Sequence, residues 1–130
     1  MAGTFPGSGV PHLPDAAPID AYGNGGFRFA GMSHRGSLLC LPDGIRAWPV
    51  KSTVDLNSDA FATVFARADA LDIFLIGTGR DLSILPEEQC ARFREFQISV
   101  DVMATGAAVR TYNILLAERR RVGAGLIAVD

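Results

Sequence analysis

Ile73-Phe74-Leu75-Ile76 is a continuous apolar run held between Asp72 and Gly77. A run of that kind marks a strand covered on both faces. The sequence around it supplies the cover. Asn57 or Ser58 can cap a helix reaching about Ala68, in which Phe61, Val64, Phe65 and Ala68 recur at helical spacing. Pro86 followed by Glu87 and Glu88 places a favoured first-turn residue and two carboxylates where a helix dipole wants them, and that helix runs to about Phe96. Residues 98–103 read as another strand, 107–118 as a helix, and 122–129 as a last strand rich in small residues. Alternation of this kind needs crossover connections, hence a partly parallel sheet with helices on its faces.

The front of the chain has a different grammar. After the turn signal Asn24-Gly25-Gly26, Phe27 and Phe29 face one way across Arg28 and Ala30. A second strand over 36–41 ends at Pro42-Asp43-Gly44, where proline presets one dihedral and glycine accepts the strained one. A third run, 45–50, contains Pro49, which cannot donate to a ladder and so belongs at an edge or an end. His34 falls in the hairpin turn before the second strand. Pro6, Pro11, Pro14 and Pro18, interleaved with glycines, leave no room for a regular element, so residues 1–18 read as a flexible Pro/Gly-rich arm and 19–130 as one domain. With 130 residues, 48% of them hydrophobic, the chain can bury a single core. The expected architecture is a three-layer single α/β domain: a mixed central β-sheet flanked by helices.

Charge and cysteine use narrow the partners. Twelve basic against fourteen acidic side chains give a net charge of -2, so no bulk cationic field draws the chain to nucleic acid or anionic lipid. No apolar run is long enough to span a membrane. The first eighteen residues hold neither a basic cluster nor a continuous apolar block, which argues against an export signal and for a cytoplasmic location. Cys40 and Cys90 lack partners at metal-ligand spacing, so two reduced thiols are expected, with no metal site and no cofactor.

Two stretches carry the candidate chemistry. Gly77-Thr78-Gly79-Arg80 stands where the buried strand ends, and open α/β sheets bind ligands outside the carboxyl ends of their strands. The loop lacks the third glycine of a dinucleotide fingerprint and the Gly-Lys-Ser/Thr of a phosphate loop. What remains is a small-anion or polar pocket with Arg80 contributing charge. The second stretch is 103–113, where Thr105 can cap the following helix and Arg110 and Asn113 lie on one side of it, while Ala108, Tyr112, Leu115 and Leu116 form an apolar face. If the two preceding strands are parallel, Gly77, Thr78, Gly79, Arg80, Thr105, Arg110 and Asn113 form one candidate ligand site. Glu118-Arg119-Arg120-Arg121 puts a basic run after that helix. It suits a helix C-terminus and is also a candidate partner-binding patch, since eleven of the twelve basic residues are Arg.

No catalytic constellation emerges. His12 lies in the arm and His34 has no placed carboxylate, so neither Ser, Cys nor Thr has a base beside it. Glu87 and Glu88 are adjacent, diverge by about 100 degrees on a helix, and cannot face each other as an acid/base pair.

Taken together, Ile19-Asp20-Ala21-Tyr22-Gly23, Gly26-Phe27, Gly36-Ser37-Leu38-Leu39, Trp48, Leu75-Ile76-Gly77-Thr78-Gly79, Met103-Ala104-Thr105, Ala107-Ala108, Arg110-Thr111-Tyr112-Asn113-Ile114-Leu115 and Glu118 with 119–126 resemble one family. It is a small domain family of bacterial and archaeal proteins that includes a mitochondrial assembly factor for respiratory complex I. The resemblance covers essentially all of 19–130. It implies a three-layer α/β domain, no established catalytic activity, and a role in helping to build a membrane-bound redox complex through a protein partner. Short edge strands allow a monomer or a homodimer. One departure stands out. The family's Glu-Gly-Arg at the end of the last helix is replaced here, with Arg120 in the glycine's place, and a non-glycine residue kept in a left-handed conformation costs about 1 kcal/mol.

Overall fold

The computed structural model describes residues 13–130. Strands β4 (Leu38–Leu41), β5 (Gly44–Ala47), β6 (Ile73–Gly77), β7 (Ser99–Met103) and β8 (Val122–Leu126) form a five-stranded sheet in the order β5-β4-β8-β6-β7. β4 runs antiparallel to β5 and β8, whereas β6 is parallel to both β7 and β8. The mixed sheet and flanking helices agree with the expectation from sequence.

The front half differs from it. β1 (Ala21–Gly23), β2 (Gly26–Phe29) and β3 (Met32–Arg35) build a separate three-stranded antiparallel sheet. Two tight turns make it. Asn24 and Gly25 both have positive φ, 54° and 79°, as do Ala30 and Gly31, 50° and 76°, which is the type I′ geometry that matches strand twist. His34 therefore lies in a strand, opposite Phe27, and not in a turn. Phe27 and Phe29 are buried with Arg28 exposed between them, as the alternation requires.

The sheet divides the core in two. On one face Trp48, Phe61, Phe65, Phe74 and Phe93 pack with Leu56, Val64, Ile76 and Leu85. Phe61 is the hub, with ring centroids 5.2 Å from Phe93, 6.1 Å from Trp48 and 6.3 Å from Phe74. This face is covered by α2 (Glu87–Glu95) and by the 57–70 segment. That segment is not the continuous helix the spacing suggests: it breaks into 3-10 turns around a four-residue α1 (Ala62–Phe65), capped at its start by Asn57 Oδ1 accepting from Ala60 N. Helical spacing of apolar residues is equally served by successive short turns, because each turn returns a side chain to the same face.

The other face is covered by α3 (Thr105–Ala117) and the small sheet, around Phe27, Phe29, Leu38, Cys40, Leu75, Tyr112 and Leu126. β8 is built of small residues for a steric reason. A Cβ on Gly125 would lie 2.6 Å from the Trp48 ring, which crosses the strand and donates its Nε1–H to Ala60 O at 2.9 Å. Of the expected N-terminal arm, residues 1–12, including His12, lie outside the described residues. Leu13 exchanges backbone hydrogen bonds with Ile45 of β5 at 3.3 and 2.9 Å.

Candidate functional site

The two loops singled out in the sequence do meet. β6 and β7 are parallel and in register from Ile73 opposite Ser99 to Gly77 opposite Met103, so both chain reversals emerge on one rim. Thr78 N donates to Met103 O and Thr105 N to Gly79 O, at 2.9 and 2.8 Å. Thr105 is fully buried. Its hydroxyl accepts from Gly79 N at 2.9 Å and donates to Ile127 O at 2.8 Å, while Ile127 N reaches Gly77 O at 2.9 Å. One threonine thus ties the ends of β6, β8 and α3 together. Gly77 has to be glycine for this closeness, because a Cβ there would stand 2.9 Å from both Thr105 Cα and Oγ1.

Thr105 is not the helix cap that the sequence suggests. Ala104 occupies the N-cap position with extended backbone, and Thr105 is the first helical residue. Its hydroxyl is drawn outward because the buried Gly79 amide and Ile127 carbonyl need partners more than the helix end does.

The remaining candidates disperse. Arg80 is exposed and reaches the Asp130 carbonyl at 3.4 Å. Arg110 is exposed on α3. Asn113 lies about 12 Å further along the helix axis than Thr105. There its amide clamps the Ile19 backbone, Oδ1 accepting from Ile19 N and Nδ2 donating to Ile19 O, both at 2.8 Å. The amides of Thr78, Gly79 and Thr105, which an anion would need, are all engaged within the junction.

Thr78 shapes what lies beyond. Its hydroxyl donates to Asp81 O at 2.6 Å and accepts from Ser83 N at 3.2 Å, folding the 80–84 loop against the rim. Out of that loop Leu82 and Ile84 project into solvent, 66% and 91% exposed. The sequence reading missed these two. The available signal was Leu82-Ser83-Ile84-Leu85, an alternating apolar segment with no strand to belong to; only Leu85 is buried.

At the opposite end of α3, Arg119 N donates to Leu116 O and Arg120 N to Leu115 O, at 2.9 and 3.0 Å. That pair of bonds is a Schellman motif. The residue in the left-handed conformation is Arg119, φ 62°, so the substituted glycine position is Arg119 and not Arg120. Arg121 is committed to the fold: its guanidinium pairs with both carboxylate oxygens of Asp72, at 3.1 and 2.7 Å, and donates to Asp69 O. That hydrogen-bonded pairing holds the Asp72 carboxyl below its ordinary value. Arg119 and Arg120 stay exposed.

Both cysteines are free, Cys40 buried and Cys90 half-buried. Cys40 faces the Tyr112 hydroxyl in the core, and burial, only partly offset by that hydroxyl, pushes its thiol up to about 12. Burial likewise raises Tyr112. Neither group ionises near neutral pH. No cluster of His, Cys, Asp and Glu among the described residues is arranged to hold a metal ion, and none of their helices is long and apolar enough to cross a membrane.

Comparison with known proteins agrees with this architecture. A protein described as an outer membrane protein of Bartonella henselae, solved by crystallography, superposes with a TM-score of 0.88 at 52% identity, over 92% of this chain and all of that one. An uncharacterized protein of Rhodobacter capsulatus is 38% identical over 117 residues, 90% of this chain and 89% of its own. Mouse NADH dehydrogenase [ubiquinone] 1 alpha subcomplex assembly factor 3 is 32% identical over 115 residues, 88% of this chain but 62% of the mouse protein, so the chain spans about three-fifths of that relative. Residues 19–127 match the family model described as protein of unknown function (DUF498/DUF598), and the chain belongs to that family.

Proposed function

We propose that this chain is a non-enzymatic interaction protein that binds a protein partner during assembly of a membrane-bound respiratory complex. The observation that carries the reading is the rim of the sheet. The amides of Thr78, Gly79, Thr105 and Ile127 are spent within this junction, while the loop it supports presents Leu82 and Ile84 to solvent. A closed polar junction beside exposed apolar side chains suits a protein surface better than a small ligand. The assembly-factor name of the mouse relative supports the same reading. The chain works from the cytoplasmic side, meeting the complex through its exposed surface.

The test is affinity capture from a native membrane extract. The unaltered chain is expected to recover a respiratory component, and a Leu82→Ser/Ile84→Ser chain, whose changes lie on exposed side chains, is expected to lose it. Recovery of no respiratory component by the unaltered chain overturns the proposal. The competing reading is a small-ligand or anion-binding domain, or an undetected enzyme, with a polar pocket at Gly77, Thr78, Gly79, Arg80, Thr105, Arg110 and Asn113. A rise in melting temperature with any of a set of nucleotides, phosphorylated metabolites and carboxylates would restore it.

A further inference from the structure

The two edges of the five-stranded sheet are treated differently. β5 is flanked by Pro42 and Pro49, lies in the buried core, and is bridged by Leu13. β7, the other edge, has five residues in unbroken register with β6, no proline and no bulge. Ser99 N donates inward to Asp72 O, and Met103 O accepts inward from Thr78 N, both at 2.9 Å. In a parallel ladder such inward residues alternate with outward ones, so the N–H and C=O of Val100 and Val102 point away from the sheet. Their side chains pack on the aromatic face of the core, which fixes the strand in place.

Beside this edge runs a groove of about 570 Å³ lined by Cys90, Arg94, Gln97, Ile98, Ser99 and Val100. Cys90 and Arg94, four residues apart, share one side of α2, and Gln97 follows just past the end of that helix. Among the described residues no strand covers β7 on its outer side, and a helix alongside such an edge is the arrangement by which an extended peptide is added to a sheet, main-chain bonds giving affinity and alternate side chains giving specificity.

We propose that the β7 edge takes an extended segment of a protein partner as a sixth strand. The chemistry of that segment follows from the two faces. Side chains on the α2 side meet Val100 and Cys90 and want to be apolar. Alternate ones meet the exposed Asp101 and want to be basic. Asp101 also argues against a second copy of this chain, because antiparallel β7–β7 pairing centred there sets two like charges opposite each other. This inference rests on the interaction reading only in taking the partner to be a protein; it concerns a different surface from the Leu82–Ile84 loop.

The experiment is an amide NMR titration of the full chain with a capped seven-residue peptide alternating valine and lysine, and with a control in which the lysines are glutamates. The lysine peptide is expected to shift the Val100 and Val102 amides and slow their exchange, and the glutamate peptide to bind about threefold or more weakly. Val102→Pro removes an outward N–H without breaking the β6–β7 ladder and is expected to weaken binding beyond about tenfold. Asp101→Lys, on an exposed side chain, tests the same surface independently and should reverse the peptide preference. Unshifted Val100 and Val102 amides, or equal binding by both variants, overturn the proposal. So does protection of those amides that grows with protein concentration in the absence of peptide, which would mean a second copy occupies the edge. Failure here with successful capture from membranes leaves the interaction reading standing.

Discussion

The two ends of α3 solve the same problem in opposite ways. At the N-terminal end, the amides of Gly79, Thr105 and Ile127 and the carbonyls of Gly77, Gly79 and Ile127 are matched to one another through Thr105 and the backbone, and glycine stands where the packing is closest. At the C-terminal end the bonds of the Schellman motif are made, yet the left-handed position carries Arg119 in place of glycine. α2 ends the same way, with Gln97 at φ 59° and Ile98 N donating to Phe93 O at 3.0 Å. The difference separates an end optimised for stability from ends that carry a conformational cost, and residues that persist in such conformations are held by the surrounding structure or kept for use.

The largest expected effect breaks the closed end. Thr105→Val keeps the shape but strands the Gly79 amide and Ile127 carbonyl, and chemical denaturation should show a loss of about 2–4 kcal/mol; Thr105→Ser should recover most of it. Gly77→Ala forces a methyl against the Thr105 backbone and is expected to cost about 1–3 kcal/mol by the same measurement. At the other end the sign reverses. Arg119→Gly should stabilise by about 1 kcal/mol, and Gln97→Gly by a similar amount. A smaller gain at Arg119 than at Gln97 would measure what the arginine charge contributes to its helix terminus. Smallest at neutral pH, and visible only in alkali, is the effect of Cys40. Its folded thiol is raised to about 12 while the unfolded thiol ionises near 9. Above pH 9 the unfolded chain releases a proton that the folded chain keeps, so stability falls as pH rises through that window. Cys40→Ala should flatten that slope in a pH series of melting curves.

What the sequence disclosed divides along similar lines. β6, α2 and α3 were readable, because each is written in its own residues: the apolar run at 73–76, Pro86-Glu87-Glu88, the wide apolar arc around Tyr112. β3 was not readable. Met32-Ser33-His34-Arg35 has almost no apolar alternation, and its strand conformation comes from pairing with β2 across an Ala30-Gly31 turn that lacks the Asn-Gly signal found at Asn24. The meeting of Thr78, Gly79 and Thr105 hung on one condition, that β6 and β7 run parallel, which the structure meets. That their polar groups would satisfy one another was not legible, because Ile127, the third partner, arrives from a segment 22 residues beyond Thr105. Arg110 and Asn113 were grouped with the junction by helix phase alone, and phase says nothing of distance along the axis.

Among the described residues β8 comes last of eight strands yet lies third of five in its sheet, between β4 and β6. Until residues 122–126 have left the ribosome, β4 with β5 and β6 with β7 are two ribbons, each with a raw inner margin. Synthesis therefore passes through a stage at which both ribbons have emerged but the sheet cannot close, and it is then that a chaperone has most to protect.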